Sequence, residues 1–241
     1  MAAIRVYGAR RVQFNSAQHE IILKVVYYGP PLSGKTTNLQ ALHKLLGGAS
    51  AGQLTVLDTA DDRTLFFDLL PLCVLTPTGY HVKLKLFTVP GQIIHAATRR
   101  IVLAGADGVV FVADSQKSLA ALNNEFWHGM RRYLADNGLD PRSIPTVIQF
   151  NKRDLPDVRP DEEIEQVKKR GPEPVFKAVA IRGEGVYETF EGLLTAVFSC
   201  LNRRYDFEKK LGLSCSELLA ALVQPAHGDS IASGQAAGTP L

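Results

Sequence analysis

Apolar runs alternate with amphipathic stretches along most of this chain. The runs at 21–29 (IILKVVYYG), 82–89 (VKLKLFTV), 108–114 (GVVFVAD), 144–151 (IPTVIQFN) and 174–181 (PVFKAVAI) are rich in Val, Ile and Phe. Near-continuous apolar content suits strands buried on both faces, and such strands run parallel beneath helices. Between them, apolar residues recur at helical spacing over 35–46, 95–104, 117–136, 161–170 and 186–205. The pattern predicts an α/β fold, a mostly parallel central sheet with helices on both faces. A further run at 66–75 (FFDLLPLCVL) reaches 82–89 through the turn TPTGYH, which predicts an antiparallel hairpin at the sheet edge.

The ends read differently. Residues 1–18 form an N-terminal extension in which the alternation over 4–14 predicts an edge strand or hairpin. The main domain spans 19–205, and 206–223 is a short helical extension. There Ser214 and Glu217 have capping-box spacing ahead of an apolar helix, which either packs back on the domain or is offered to a partner groove. Residues 224–241 are small and polar, the composition of a disordered tail.

Composition narrows the partners. A formal net charge of +3 is too small to imply nucleic acid, and the basic triplet Lys168-Lys169-Arg170 sits near Glu163, Glu165 and Glu173 as on a solvated helix face. Cys73, Cys200 and Cys215 are far apart and odd in number, which suggests no disulfide framework or metal site and fits a reducing compartment. No apolar run approaches the roughly 20 residues that span a bilayer. The start MAAIRVYGARRVQF lacks the apolar core of a signal peptide. A cytoplasmic protein is expected.

Directly after the first long strand comes GPPLSGKTT, residues Gly29, Pro30, Pro31, Leu32, Ser33, Gly34, Lys35, Thr36 and Thr37. Its G-x-x-x-x-G-K-S/T spacing between a buried strand and an amphipathic helix is the signature of a phosphate loop. Backbone N–H groups would cradle the phosphates, Lys35 would neutralise the β and γ oxygens, and the Thr36 hydroxyl would bind Mg²⁺. This loop serves ATP and GTP alike, so the base is decided elsewhere. Asn151, Lys152 and Asp154 have N-K-x-D spacing at the end of a buried strand. A carboxylate at Asp154 can accept from guanine N1–H and N2–H₂ together, whereas adenine would leave it unpaired. Lys152 would lie along the base and Asn151 would tie this loop to the phosphate loop. After the next strand, AVAIRG (178–183) would bring Val179 and Ala180 to the base, with the Ala180 N–H on guanine O6.

With these motifs the chain resembles the Ras-like small GTPases, and most closely the bacterial MglA family of polarity and motility switches. The resemblance rests on KVVYYGPPLSGKTTNLQ, DRTLFFDLLPL, LFTVPGQ, GADGVVFVADSQ, IPTVIQFNKRDLP and AVAIRGEGVYET, spread over residues 20–200. It implies the P-loop small GTPase fold, GTP and GDP as ligands, Mg²⁺ as cofactor and slow GTP hydrolysis. By the same resemblance, Thr64 binds Mg²⁺ and the γ-phosphate, and Arg63 is a built-in arginine finger, worth ~10³-fold or more in rate. Gln92, after the switch glycine Gly91, orients the attacking water. The implied partners are a homodimeric roadblock-domain activator of the MglB type and effectors of polarity or gliding, with recruitment to a cell pole.

Two residues stand apart. Thr88 occupies the position of the usual aspartate of D-x-x-G; its hydroxyl can hold Mg²⁺ through a water but without the charge. The family shares TVPGQ, so the threonine belongs to the resemblance. Pro31 departs from it, standing where the family has glycine. Proline fixes φ, lacks an N–H and adds bulk near the space Gln92 must enter. The alternative reading is therefore a nucleotide-binding scaffold with little turnover; a P-loop ATPase is disfavoured by NKRD.

Overall fold

Strand β2 (Glu20–Tyr28) runs through the middle of the sheet. It turns Ile21, Leu23, Val25 and Tyr27 to one face, all fully buried, while Val26 and Tyr28 are buried on the other. The computed structural model describes residues 12–15, 17–47, 51–57, 67–90 and 96–223. Within them an eight-stranded sheet has β2 flanked on one side by β5 (His81–Thr88), β4 (Phe67–Leu75) and β3 (Thr55–Leu57). On the other side lie β6 (Gly108–Asp114), β7 (Thr146–Asn151) and β8 (Val175–Lys177). β2 is parallel to β5 and β6, and β6, β7 and β8 continue the parallel set. β3, β4 and β5 pair antiparallel, so the 66–75 run makes the predicted hairpin. β1 (Gln13–Asn15) pairs antiparallel with residues 20–22 of β2, on the side where β6 joins only from Val25 onward.

Helices cover both faces. On one, α1 (Lys35–Leu46), α5 (Val186–Tyr205) and α7 (Cys215–Val223) close a core around Leu39, Leu84, Val110 and Leu193. On the other, α2 (Ala96–Leu103), α3 (Ala120–Asp136) and α4 (Asp161–Arg170) close a second core around Val26, Leu103, Phe126 and Ile164. These layers are why β6 and β7 read as unbroken apolar runs: every residue of both is buried.

The differences from the predicted elements have local causes. The run 174–181 is a strand only over Val175–Lys177, because the chain then leaves the sheet and Ala180–Arg182 winds into a 3₁₀ turn. There Val179 N–H donates to Glu184 O, a bond inside the loop in place of a ladder bond. β3 and the short helix α6 (Phe207–Leu211) are too brief to show a period. Of the two arrangements open to SELLAALV, the structure has the inward one, with Leu218, Leu219 and Leu222 buried. Ser214 and Glu217 cap α7 reciprocally: Ser214 N–H donates to Glu217 Oε2 at 2.7 Å and Glu217 N–H to Ser214 Oγ at 3.3 Å. Residues 1–11 and the tail 224–241 lie outside the described residues. Among the described residues no helix is long and apolar enough to cross a membrane.

Candidate functional site

The C-terminal ends of β2, β6 and β7 converge on one end of the sheet, where open parallel sheets bind their ligands. After β2 the chain turns through residues 29–34 into α1, and two glycines make the turn fit. A Cβ on Gly29 would stand 2.1 Å from Val112 O, inside β6. Gly34 has φ +97°, and a Cβ there would stand 2.2 Å from Asn151 Nδ2. Between them Leu32 holds φ +58°, unusual for a γ-branched residue, with its side chain 87% exposed. Pro30 and Ser33 are buried, and Pro31 is half-buried beside them.

Lys35 turns back into this loop. Its ammonium donates to Gly29 O at 3.0 Å and to Pro30 O at 2.7 Å, in the manner of a lysine curled under a phosphate cradle. Burial pushes its pKa down to about 7; Arg99 and Lys152 push the same way, and Asp68 opposes them. A cation that carries its charge at such cost is poised for an anionic ligand.

Beside it lies a carboxylate that the motif reading did not include. Asp68, 7% exposed at the start of β4, accepts from Thr36 Oγ1 at 2.5 Å and from Thr88 Oγ1 at 2.9 Å. Its own N–H donates to Thr88 Oγ1 at 2.9 Å. Thr88, buried at the end of β5, therefore spends its hydroxyl on holding Asp68, and the negative charge missing from position 88 is supplied by the neighbouring strand. Among the described residues Asp68 makes no ion pair within 4.0 Å. A buried carboxylate next to a hydroxyl of the phosphate loop is a donor set that fits a hard divalent cation. The signal in the sequence was the lone acid inside the apolar run FFDLLPL.

The base-side loop is built around Asn151. Its Nδ2 donates to Ser33 O at 2.8 Å and its Oδ1 accepts from Ala180 N–H at 2.9 Å, so one amide joins the phosphate loop, the end of β7 and the 178–183 loop. The Ala180 N–H, the group expected to reach guanine O6, donates here to Asn151 Oδ1 at the start of the 3₁₀ turn. Thr37 and Ala180 nonetheless line one cleft of about 260 Å³ between α1 and this turn. Lys152 has φ +64° and pairs with Asp114 Oδ2 at 2.7 Å. Asp114 is fully buried at the end of β6, a second functional candidate that the motifs left out, and it is also held by Gln116 N–H at 3.0 Å. Asp154 is exposed on the rim. Arg63, Thr64, Gly91 and Gln92 lie outside the described residues.

The structure thus gathers Lys35, Thr36 and Thr88 around Asp68, and joins Ser33 of the phosphate loop to Ala180 through Asn151. Mutual gliding-motility protein MglA of Myxococcus xanthus (strain DK1622) is 43% identical to this chain over 189 residues, a match that covers 78% of this chain and 97% of that protein. No protein-family model matches the chain.

Proposed function

The chain belongs to the MglA family of small GTPases, and from that membership we propose a GTP-binding switch that acts in gliding motility and hydrolyses GTP slowly until a roadblock-domain partner stimulates it. The observation that carries the reading is the pair of hydrogen bonds of Asn151, donated to Ser33 O and accepted from Ala180 N–H, since it ties the phosphate loop to the base-side loop beside Asp154. In this reading Asp154 accepts from the guanine N1–H and N2–H₂, and Lys152, oriented by Asp114, lies along the base. Residues 29–37 hold the phosphates on backbone N–H groups and the Lys35 ammonium. A bound Mg²⁺ supplies positive charge to the β- and γ-phosphates, and the groups fitted to hold it are Thr36, Asp68 and Thr64, with Thr88 fixing Asp68. Arg63 and Gln92 act on the γ-phosphate and the attacking water, and Gly91 is the glycine of the second switch.

Loss of the γ-phosphate would release the segments around Thr64 and Gln92, which is how the hydrolytic state is read by polarity or motility effectors at a cell pole. The second reading, a nucleotide-bound scaffold with little turnover, is favoured by one feature, Pro31 half-buried against the site. The test is affinity for GTP, GDP and ATP on the purified chain, then multiple-turnover phosphate release with and without a homodimeric roadblock-domain protein. Guanine preference with release accelerated by the partner is expected. Bound nucleotide with no release above buffer in either case would replace the switch by the scaffold.

A further inference from the structure

The metal-side pair Thr36 and Asp68 joins two elements, the first turn of α1 and the start of strand β4, whose separation must be fixed by something other than the pair itself. β4 is held along one edge by seven residue pairs to β5, but its other neighbour β3 spans only three residues. Beneath it β4 is supported by α1 itself and by the C-terminal extension. α7 packs against β4, α5 and α1 together, so it touches both elements that the Thr36–Asp68 bond connects. Its Leu218, Leu219 and Leu222 lie in the same buried cluster as Leu70 and Leu72 of β4 and Leu39 of α1.

The extension is fastened at several points before α7 begins. Phe207 and Leu211 of α6 are fully buried. Thr78, in the turn between β4 and β5, donates through Oγ1 to Lys210 O at 2.9 Å. Gly212, at φ +67°, passes so close to that turn that a Cβ would stand 2.9 Å from Thr78 Cγ2. Thus both the turn and the inner face of β4 are gripped by residues 207–223. We infer that α7 is a positioning element for the metal site: it holds β4 against α1 so that the Asp68 carboxylate meets the Thr36 hydroxyl. The inference rests on the reading of Asp68 as the metal-side carboxylate.

The test uses the full chain loaded with fluorescent GDP, and measures its dissociation rate as a function of Mg²⁺ concentration. Four variants are compared: Leu218→Ala with Leu222→Ala, Leu222→Met, Leu134→Ala in α3 of the opposite core layer, and Asp68→Asn. The double variant should need about 10-fold more Mg²⁺ to hold GDP, the size of effect expected from a lost outer support of a metal ligand. Leu222→Met should behave as the parent, and Leu134→Ala should lower the melting temperature without moving the Mg²⁺ midpoint. A midpoint unmoved in the α7 variant, or moved equally by Leu134→Ala, overturns the inference. If the double variant does not fold, Leu222→Val is judged by the same criterion. Asp68→Asn separates the two readings: a midpoint that ignores it removes the metal role of Asp68, whereas a midpoint that follows it while the α7 variants leave theirs unchanged removes only the positioning role.

Discussion

Asp68 and Thr88 hold each other across adjacent strands. The Asp68 N–H donates to Thr88 Oγ1 and the same hydroxyl donates to Asp68 Oδ2, both at 2.9 Å. A threonine in place of an acid is therefore not a deletion of charge from the site but a transfer of it to β4. The hydroxyl accepts one bond and gives one, which a valine of the same shape cannot do. Thr88→Val leaves a buried amide and one carboxylate lone pair unsatisfied, at a cost of about 1–3 kcal/mol. It should also raise the Mg²⁺ needed for tight GDP binding by ~10-fold. Thr88→Ser should keep both bonds and both properties. Chemical denaturation and Mg²⁺ titration of GDP release, run side by side, check the pair of effects.

Lys35 gives a pH dependence with a definite sign. Its folded-state pKa is pushed down to about 7 from an ordinary 10.5, mainly by burial. Between those values the unfolded chain binds a proton that the folded chain lacks, so without nucleotide stability should rise as pH rises through that window. Phosphates beside the ammonium reverse the balance and raise its pKa, so nucleotide binding above pH 7 takes up a proton. Affinity for GDP should therefore fall as pH climbs from 7 toward 9. Calorimetry in buffers of different ionisation enthalpy should show uptake approaching about one proton per GDP at the alkaline end. No proton uptake from pH 7 to 9 would show that Lys35 is charged throughout.

Much of this was readable in the sequence, and the unread part has a common cause. The phosphate loop and N-K-x-D are contiguous, so spacing alone displays them, and the continuous apolar runs of β6 and β7 gave away strands buried on both faces. Asp68 and Asp114 escaped because each acts on a residue far along the chain: Asp68 on Thr36 and Thr88, Asp114 on Lys152. Such pairings are set by strand order and register, which no local pattern states. The bond from the Ala180 N–H to Asn151 was hidden for the same reason, since it depends on how β7 and the 3₁₀ turn abut.

Base recognition is tested at Asp154 and at the residue behind its neighbour. Asp154→Asn exchanges a double acceptor for a group that can donate, which matches the carbonyl that xanthine carries in place of the guanine amine. The preference for GDP over XDP should swing by ~10³-fold or more, since a polar group that the bound base covers and leaves unpaired carries that kind of discrimination. Asp114→Asn acts indirectly. It removes the carboxylate that holds the Lys152 ammonium at 2.7 Å, an interaction worth about 2 kcal/mol. Guanine nucleotide affinity should drop while the preference for guanine over xanthine stays. Competition between labelled GDP and unlabelled GDP or XDP distinguishes the two variants; equal behaviour would mean that Asp154 does not read the base.

Pro31 is the residue on which the switch and the scaffold readings divide. It sits half-buried between the buried Pro30 and the exposed Leu32, on the loop that faces the phosphates. A proline there offers no N–H and cannot rotate φ to make room. Pro31→Gly restores both freedoms, at the expense of a more flexible unfolded chain that lowers stability by about 0.4–1 kcal/mol. Nucleotide affinity should change little, because Lys35, Gly34 and the N-terminus of α1 are untouched. The rate stimulated by a roadblock-domain partner should rise by ~10-fold or more if the ring excludes catalytic groups, a step in line with the weight of one transition-state contact. Single-turnover hydrolysis of preloaded GTP, with and without the partner, separates this from slow product release. A stimulated rate equal to that of the parent chain would clear the proline of any braking role and leave the exposed Leu32, with its left-handed backbone, as the unusual feature of the loop.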